Sequence, residues 1–144
     1  MNLRKALTSL ALAASLVLGA AAQAAPAGSV DVTLKVNYGK YATRKSCPVV
    51  VGAGANGIAV LDAAVASGCI SSYTTQSFSG AHYVDSIDGV SEQAVMFWEM
   101  RENGQCTDYG VDDFGAGQGD ELSFSYNTWA LFAAPASVRA PISC

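Results

Sequence analysis

Hydrophobic and polar positions alternate over several short stretches of this 144-residue chain. Val30, Val32, Leu34 and Val36 are separated by Asp31, Thr33 and Lys35, which predicts a half-buried strand with one face to the core. Cys47 to Val51 reads as a second short strand, with Pro48 near its start, where a missing N–H donor is tolerated. The period then changes. Ile58, Leu61 and Val65 fall at i, i+3 and i+7, Asn56 can cap the N-terminus, and Gly68 can end the helix in the left-handed conformation. Cys69 to Ala81 is rich in Ser, Thr and Gly and reads as an irregular connection, from which Tyr73 and Phe78 stand out. Alternation returns at Tyr83 to Ile87, and Asp88-Gly89 marks a turn or bulge. Ala94 to Gly104 is the densest apolar run after residue 24. It predicts a strand over Val95 to Glu102, with Met96, Trp98 and Met100 on one face and Phe97 on the other, closed by Asn103-Gly104. The last clear strand carries Leu122, Phe124 and Tyr126 and runs to Trp129.

Two strands, one helix and then several strands predict an α+β fold, a β-grasp-like small sheet of about five or more strands crossed by one helix. Residues 1–24 stand outside that plan. Arg4 and Lys5 precede an apolar run from Ala6 to Leu18, and Ala22-Gln23-Ala24 offers a small-x-small cleavage site, so a secretory signal peptide is expected. Cleavage there leaves 120 residues (144 − 24), enough for one domain. No later stretch approaches the ~20 apolar residues of a membrane span. After cleavage six basic residues face twelve acidic ones, and an acidic surface argues against nucleic acid as a partner. The loop Asn37 to Ser46 runs against that trend with Lys40, Arg44 and Lys45, either a solvated loop or a contact point for an anionic ligand or partner.

Export also bears on the cysteines. Cys47, Cys69, Cys106 and Cys144 read as two disulfides in an oxidising compartment, with three possible connectivities. No pair has Cys-x2-Cys spacing and His82 is the sole histidine, so no metal site is expected. If the helix doubles back antiparallel to the second strand, its C-terminal end returns near that strand's start. Cys69 then lies near Cys47, leaving Cys106 for Cys144. The segment from Ala130 to Cys144 is accordingly expected to be a tail pinned by a disulfide.

Signals for chemistry are few. Gly52-Ala53-Gly54-Ala55 lacks both the Gly-Lys-Ser/Thr ending and the Gly-x-Gly-x-x-Gly spacing of a phosphate loop. Asp108, Asp112 and Asp113 lie in a turn-rich stretch without the Asp-x-Asp-x-Asp-Gly spacing of a calcium loop. Asp112-Asp113 and Asp120-Glu121 are adjacent pairs whose side chains diverge on extended backbone, and oxidised cysteines offer no thiolate. The expectation is a protein that is not an enzyme and carries no cofactor.

The order of signals resembles a known family. Gly57-Ile58-Ala59-Val60-Leu61-Asp62-Ala63, Tyr83 to Val90, Phe97-Trp98-Glu99, Gly110-Val111-Asp112-Asp113-Phe114 and Gly119 to Trp129 together look like the C-terminal β-domain of transcobalamin and intrinsic factor, which recurs in bacterial secreted proteins. The resemblance implies one such domain over residues 25–129. In the cobalamin carriers this domain closes over the upper face of the corrinoid, and the segment matching its ligand-facing hairpin is Ser86 to Trp98.

These readings lead to a secreted or periplasmic binding module for a small, largely apolar ligand, with a corrinoid as the candidate the resemblance implies. The expected ligand-facing side chains are Phe78, Tyr83, Val90, Met96, Phe97, Trp98 and Met100. Trp98 has a second reading as a core residue under the helix, with Phe97 then outward. The alternative function is a protein-interaction or adhesion module of the cell envelope, working through a sheet edge or the apolar hairpin.

Overall fold

The alternating stretches pair into two sheets in the computed structural model, which describes residues 28–128. The signal-peptide reading of 1–24 and the tail reading of 130–144 lie outside the described residues. Strands β1 (Ser29–Asn37) and β2 (Lys45–Gly52) form an antiparallel hairpin that places Val32 opposite Val49 and Leu34 opposite Cys47. Helix α1 (Gly57–Ala66) then packs against β2 and β1. Strands β3 (Tyr73–Phe78), β4 (Ala81–Ile87) and β5 (Val90–Ser91) make a separate three-stranded antiparallel sheet. Strand β6 (Met96–Glu102) and the two-residue β7 (Gln105–Cys106) return to the first sheet, and a 3-10 turn (Val111–Asp113) leads to β8 (Asp120–Thr128).

The first sheet has the order β2-β1-β8-β6-β7, with β8 parallel to β1 and antiparallel to β6. The fold is therefore α+β, and a first hairpin, one crossing helix and a last strand lying parallel beside the first reproduce the β-grasp plan. One face of this sheet is dry. Leu122 lies beside Leu34 and Phe124 beside Val36, all buried, under Val60, Leu61 and Ala64 of the helix. Each of these Val, Leu and Phe side chains contributes about 1.5–3 kcal/mol on full burial.

The helix obeys its sequence signals at both ends. Asn56 Oδ1 accepts the Ala59 N–H at 3.1 Å. At the other end, Gly68 (φ +73°) donates to Val65 O and Cys69 to Ala64 O, the paired bonds of a Schellman cap. The buried stripe is displaced from the expected one. Gly57, Val60, Leu61 and Ala64 are fully buried, whereas Ile58 and Val65 are half-buried along the margin. Gly57 allows this seating, because a Cβ there would lie 2.8 Å from the Val111 carbonyl.

Cys69 emerges from the helix beside the start of β2, and the expected Cys47–Cys69 disulfide is present with Cα atoms 5.8 Å apart. Cys106 is also disulfide-bonded. The expected partner, Cys144, lies outside the described residues.

The irregular connection expected over Cys69–Ala81 is corrected by β3. Thr74, Thr75 and Gln76 have little apolar pattern because most of the strand is exposed, yet β4 supplies the backbone partners that hold it extended. Its tip, Ser79-Gly80, has φ of +51° and +88°, the two left-handed positions of a tight hairpin turn. Asp88-Gly89 and Asn103-Gly104 adopt the same conformation, as their sequence signals predict.

Candidate functional site

Strand β6 is paired with β8 along its whole length, and among the described residues β7 lies against Arg101 and Glu102 on its other side. Beside Phe97 and Trp98 runs a groove of about 460 Å3 between β6 and the β3–β4 hairpin. Phe78, Tyr83, Phe97 and Trp98 supply its aromatic wall, with Gln76, Ser77 and Glu92 as the polar groups. A second hollow of about 230 Å3 continues along β6 past Met100 to Thr107 and Tyr109, and shares Tyr83, Phe97 and Trp98 with the first.

Local folding explains the placement. Gln76 pairs directly with Tyr83 across the β3–β4 hairpin, and Phe78 follows two residues after Gln76, so the three share one face. The Phe78 and Tyr83 rings meet edge-on, with centroids 6.5 Å apart, yet Phe78 remains 70% exposed. Glu92 closes the opposite side. Its carboxylate accepts Gln76 Nε2 at 2.8 Å and the Trp98 backbone N–H at 3.4 Å. Desolvation raises the Glu92 pKa, with the nearby Asp85 charge adding to it and these two hydrogen bonds opposing it.

Trp98 is chiefly a core residue. It is 6% exposed, lies 5.7 Å from Tyr38 and 5.0 Å from Tyr126 between ring centroids, and donates Nε1–H to Val90 O at 3.0 Å. Tyr126 Oη–H donates in turn to Ser91 O at 2.6 Å, so two core rings fasten β5 beneath the groove. Val90, Met96 and Met100 are half-buried and pack on the same core. The structure thus divides the seven expected ligand-facing residues. Phe78, Tyr83, Phe97 and one margin of Trp98 meet in the groove, while Val90, Met96 and Met100 line neither it nor one another as a shared surface, Met100 reaching only the second hollow. Gln76, Ser77 and Glu92 escaped the sequence reading. A Ser-Gly turn flanked by Phe78 and Tyr83 is the signal that could have shown the hairpin and put Gln76 beside them.

Behind the groove, Asp88 forms a hub that its turn signal did not reveal. Its carboxylate accepts from Tyr38 Oη, Lys45 Nζ (2.6 Å), the Ser71 N–H and Ser71 Oγ (2.7 Å). Burial opposes ionisation there, but the Lys45 ammonium and the other donors prevail and hold the carboxyl well below the usual range. Burial and the Asp88 carboxylate push the Tyr38 phenol upward. Lys45, one of the three cations of the basic loop, is therefore engaged internally. Arg44 donates Nε–H to Asn37 Oδ1 at 3.2 Å, and Lys40 lies 5.4 Å from the Tyr41 ring centre.

His82 is half exposed, with Nδ1 2.8 Å from Asp112 Oδ2, and the same oxygen accepts the His82 backbone N–H. These contacts hold Asp112 below its ordinary pKa. Tyr109 donates to Glu102, and burial followed by that carboxylate raises its phenol to about 12. Among the described residues no group of three or more His, Cys, Asp or Glu side chains is placed to hold a metal ion.

The family described as "Domain of unknown function (DUF4430)" matches residues 58–128. No curated protein matches the chain. Among solved structures, haptocorrin in complex with Cbi is similar over 70% of this chain and 25% of its own, at 18% identity and a TM-score of 0.62. A candidate metal-binding protein from Ruminococcus gnavus ATCC 29149 is similar over 69% of this chain and 97% of its own, at 14% identity and a TM-score of 0.54. The chain thus spans about a quarter of the length of haptocorrin. Both likenesses are likenesses of fold.

Proposed function

We propose that this chain is a secreted or periplasmic, non-catalytic binding module that holds a small, largely apolar ligand in the groove between β6 and the β3–β4 hairpin. The observation that carries the reading is the groove itself, about 460 Å3 with Phe78, Tyr83, Phe97 and Trp98 on its wall. Ligand sites are typically concavities of roughly 300–1,000 Å3, mostly apolar, with a few polar groups that fix orientation. The groove is of this kind. Likeness of fold to haptocorrin, whose solved structure holds Cbi, supports a corrinoid as the first ligand to try. The corrinoid would lay one apolar face against the rings rather than enter entirely.

Phe78 gives the second reading its one specific observation. A phenyl ring 70% exposed near the tip of a hairpin also suits a protein-interaction or adhesion module. Tryptophan fluorescence separates the two, because Trp98 borders the groove. Titration with cobalamin, and with haem as a control, is expected to give saturable quenching at micromolar concentration. Phe78→Ala and Tyr83→Ala should weaken it about tenfold or more without unfolding the protein, since Phe78 is 70% and Tyr83 36% exposed and neither is among the buried core residues. An unchanged signal up to 100 μM, together with a protein partner whose capture depends on Phe78, would replace the small-ligand reading by the interaction module.

A further inference from the structure

The groove's charge and ring chemistry identify the kind of group it accepts. Among the described residues its one charged side chain is Glu92, whose carboxylate accepts hydrogen bonds from Gln76 and, at 3.4 Å, from the Trp98 N–H. Asp85 lies nearby, its backbone carbonyl accepting the Glu92 N–H and its carboxylate engaged by Thr74 Oγ1 at 3.1 Å. The described cations are held elsewhere: Lys35 pairs with Glu121, Lys45 with Asp88 and Arg101 with Glu99, while Lys40 and Arg44 belong to the β1–β2 loop. Among the described residues this partly buried carboxylate has no cationic partner, and it shares the groove with a wall of aromatic rings. The π-faces of Phe, Tyr and Trp attract cations within ~6 Å by about 0.5–2 kcal/mol, most strongly where water is excluded.

Resting on the reading of this groove as a ligand site, we infer that it selects ligands carrying an amine or quaternary ammonium group next to an apolar body, with Glu92 as the anionic anchor and Phe78 and Tyr83 as the cation-facing rings. The cation would sit between the ring pair, whose centroids are 6.5 Å apart, and the Glu92 carboxylate, while the apolar body lies along Phe97. Such a ligand pairs the Glu92 charge, which a neutral macrocycle leaves desolvated. Its arrival would also lower the Glu92 pKa, so affinity should weaken on acidification.

The test is a fluorescence titration with three probes of similar body and different charge: benzyltrimethylammonium, benzyl alcohol and phenylmethanesulfonate. About 0.15 M salt screens the general attraction of cations to an acidic protein. The cation is expected to bind at least tenfold more tightly than the alcohol, and the sulfonate not at all. Glu92→Gln keeps an acceptor for the Trp98 N–H and should abolish that advantage, weakening the cation at least tenfold more than benzyl alcohol. Phe78→Leu keeps apolar area but removes the ring, and should weaken the cation severalfold more than the alcohol. Equal affinities for cation and alcohol, or a cation advantage that survives Glu92→Gln, would overturn the inference. In that event quenching by cobalamin or benzyl alcohol would still leave a ligand groove, whereas silence from every probe removes both readings.

Discussion

Asp88 occupies a left-handed turn position at φ +51°, a conformation that Asp and Asn tolerate better than most residues. The turn accounts for the backbone; the side chain serves another purpose. By collecting Tyr38, Lys45 and Ser71, one carboxylate ties the end of β1, the start of β2 and the segment after the helix to the β4–β5 turn. Its folded pKa lies below the unfolded value of about 3.9. The stabilisation it gives is therefore complete above that value and is lost as pH falls from about 4 towards the folded pKa. Asp88→Asn keeps the left-handed turn and nearly the same shape while removing the charge. It should cost about 2 kcal/mol at pH 7, the loss of charged hydrogen bonds at a mostly buried acceptor. Urea midpoints measured between pH 2.5 and 7 should show the wild type losing stability below about pH 4 and the variant losing less. Parallel pH profiles would show that the hub carries no linked proton.

Among the elements, helix α1 and strand β3 illustrate opposite kinds of sequence signal. The helix announces itself through an Asn cap, a 3.6-residue period and a terminal glycine, because each of those groups satisfies local backbone geometry. Only the choice of stripe needed the fold: Gly57 lies against Val111 and turns Val60, Leu61 and Ala64 inward in place of Ile58 and Val65. Strand β3 carries no such pattern, since its stability comes from β4 rather than from its own side chains. The disulfide belongs to this scale too. Cys47 and Cys69 are 22 residues apart, and closing a loop of that order contributes about 3 kcal/mol in the chain-entropy account. Cys47→Ala/Cys69→Ala should lower the unfolding free energy by roughly that amount, read from denaturant titration, with the secondary-structure circular dichroism of the folded protein retained. A loss under 1 kcal/mol would mean that the helix–β2 packing holds the two segments together without the bridge.

At the scale of the whole molecule, the groove exists because two sheets meet along one margin of β6. The segment before the 3-10 turn sets their separation at Gly110, where a Cβ would lie 2.5 Å from the His82 carbonyl and 2.9 Å from the Ala81 Cβ. These are backbone and short side-chain atoms at the start of β4, so they cannot rotate out of the way. Gly110→Ala should destabilise the protein by about 1–3 kcal/mol, the usual cost of overpacking, and displace the β3–β4 hairpin that bears Phe78 and Tyr83. Thermal unfolding reads the first effect and ligand titration the second. A variant with unchanged melting temperature and affinity would show that the two sheets are not held at a fixed spacing by this contact.

What the sequence determined by itself was local. The strand alternation, the helix with both caps, the Asp-Gly and Asn-Gly turns and the α+β plan all follow from short-range periodicity and backbone preference, and the plan was enough to bring Cys69 back to Cys47. Tertiary structure decided what short-range patterns do not encode. It turned Trp98 inward to Tyr38, Tyr126 and the Val90 carbonyl, because an indole whose N–H finds a buried acceptor gains from burial on both its apolar and its polar sides. It made Asp88 a hub, and it assembled the groove from β3, β4, the Glu92 segment and β6. Phe97 and Trp98 are neighbours in the chain, but the strand sends them to opposite faces, and only the arrival of the second sheet beside β6 brings Phe78, Tyr83 and Glu92 to them.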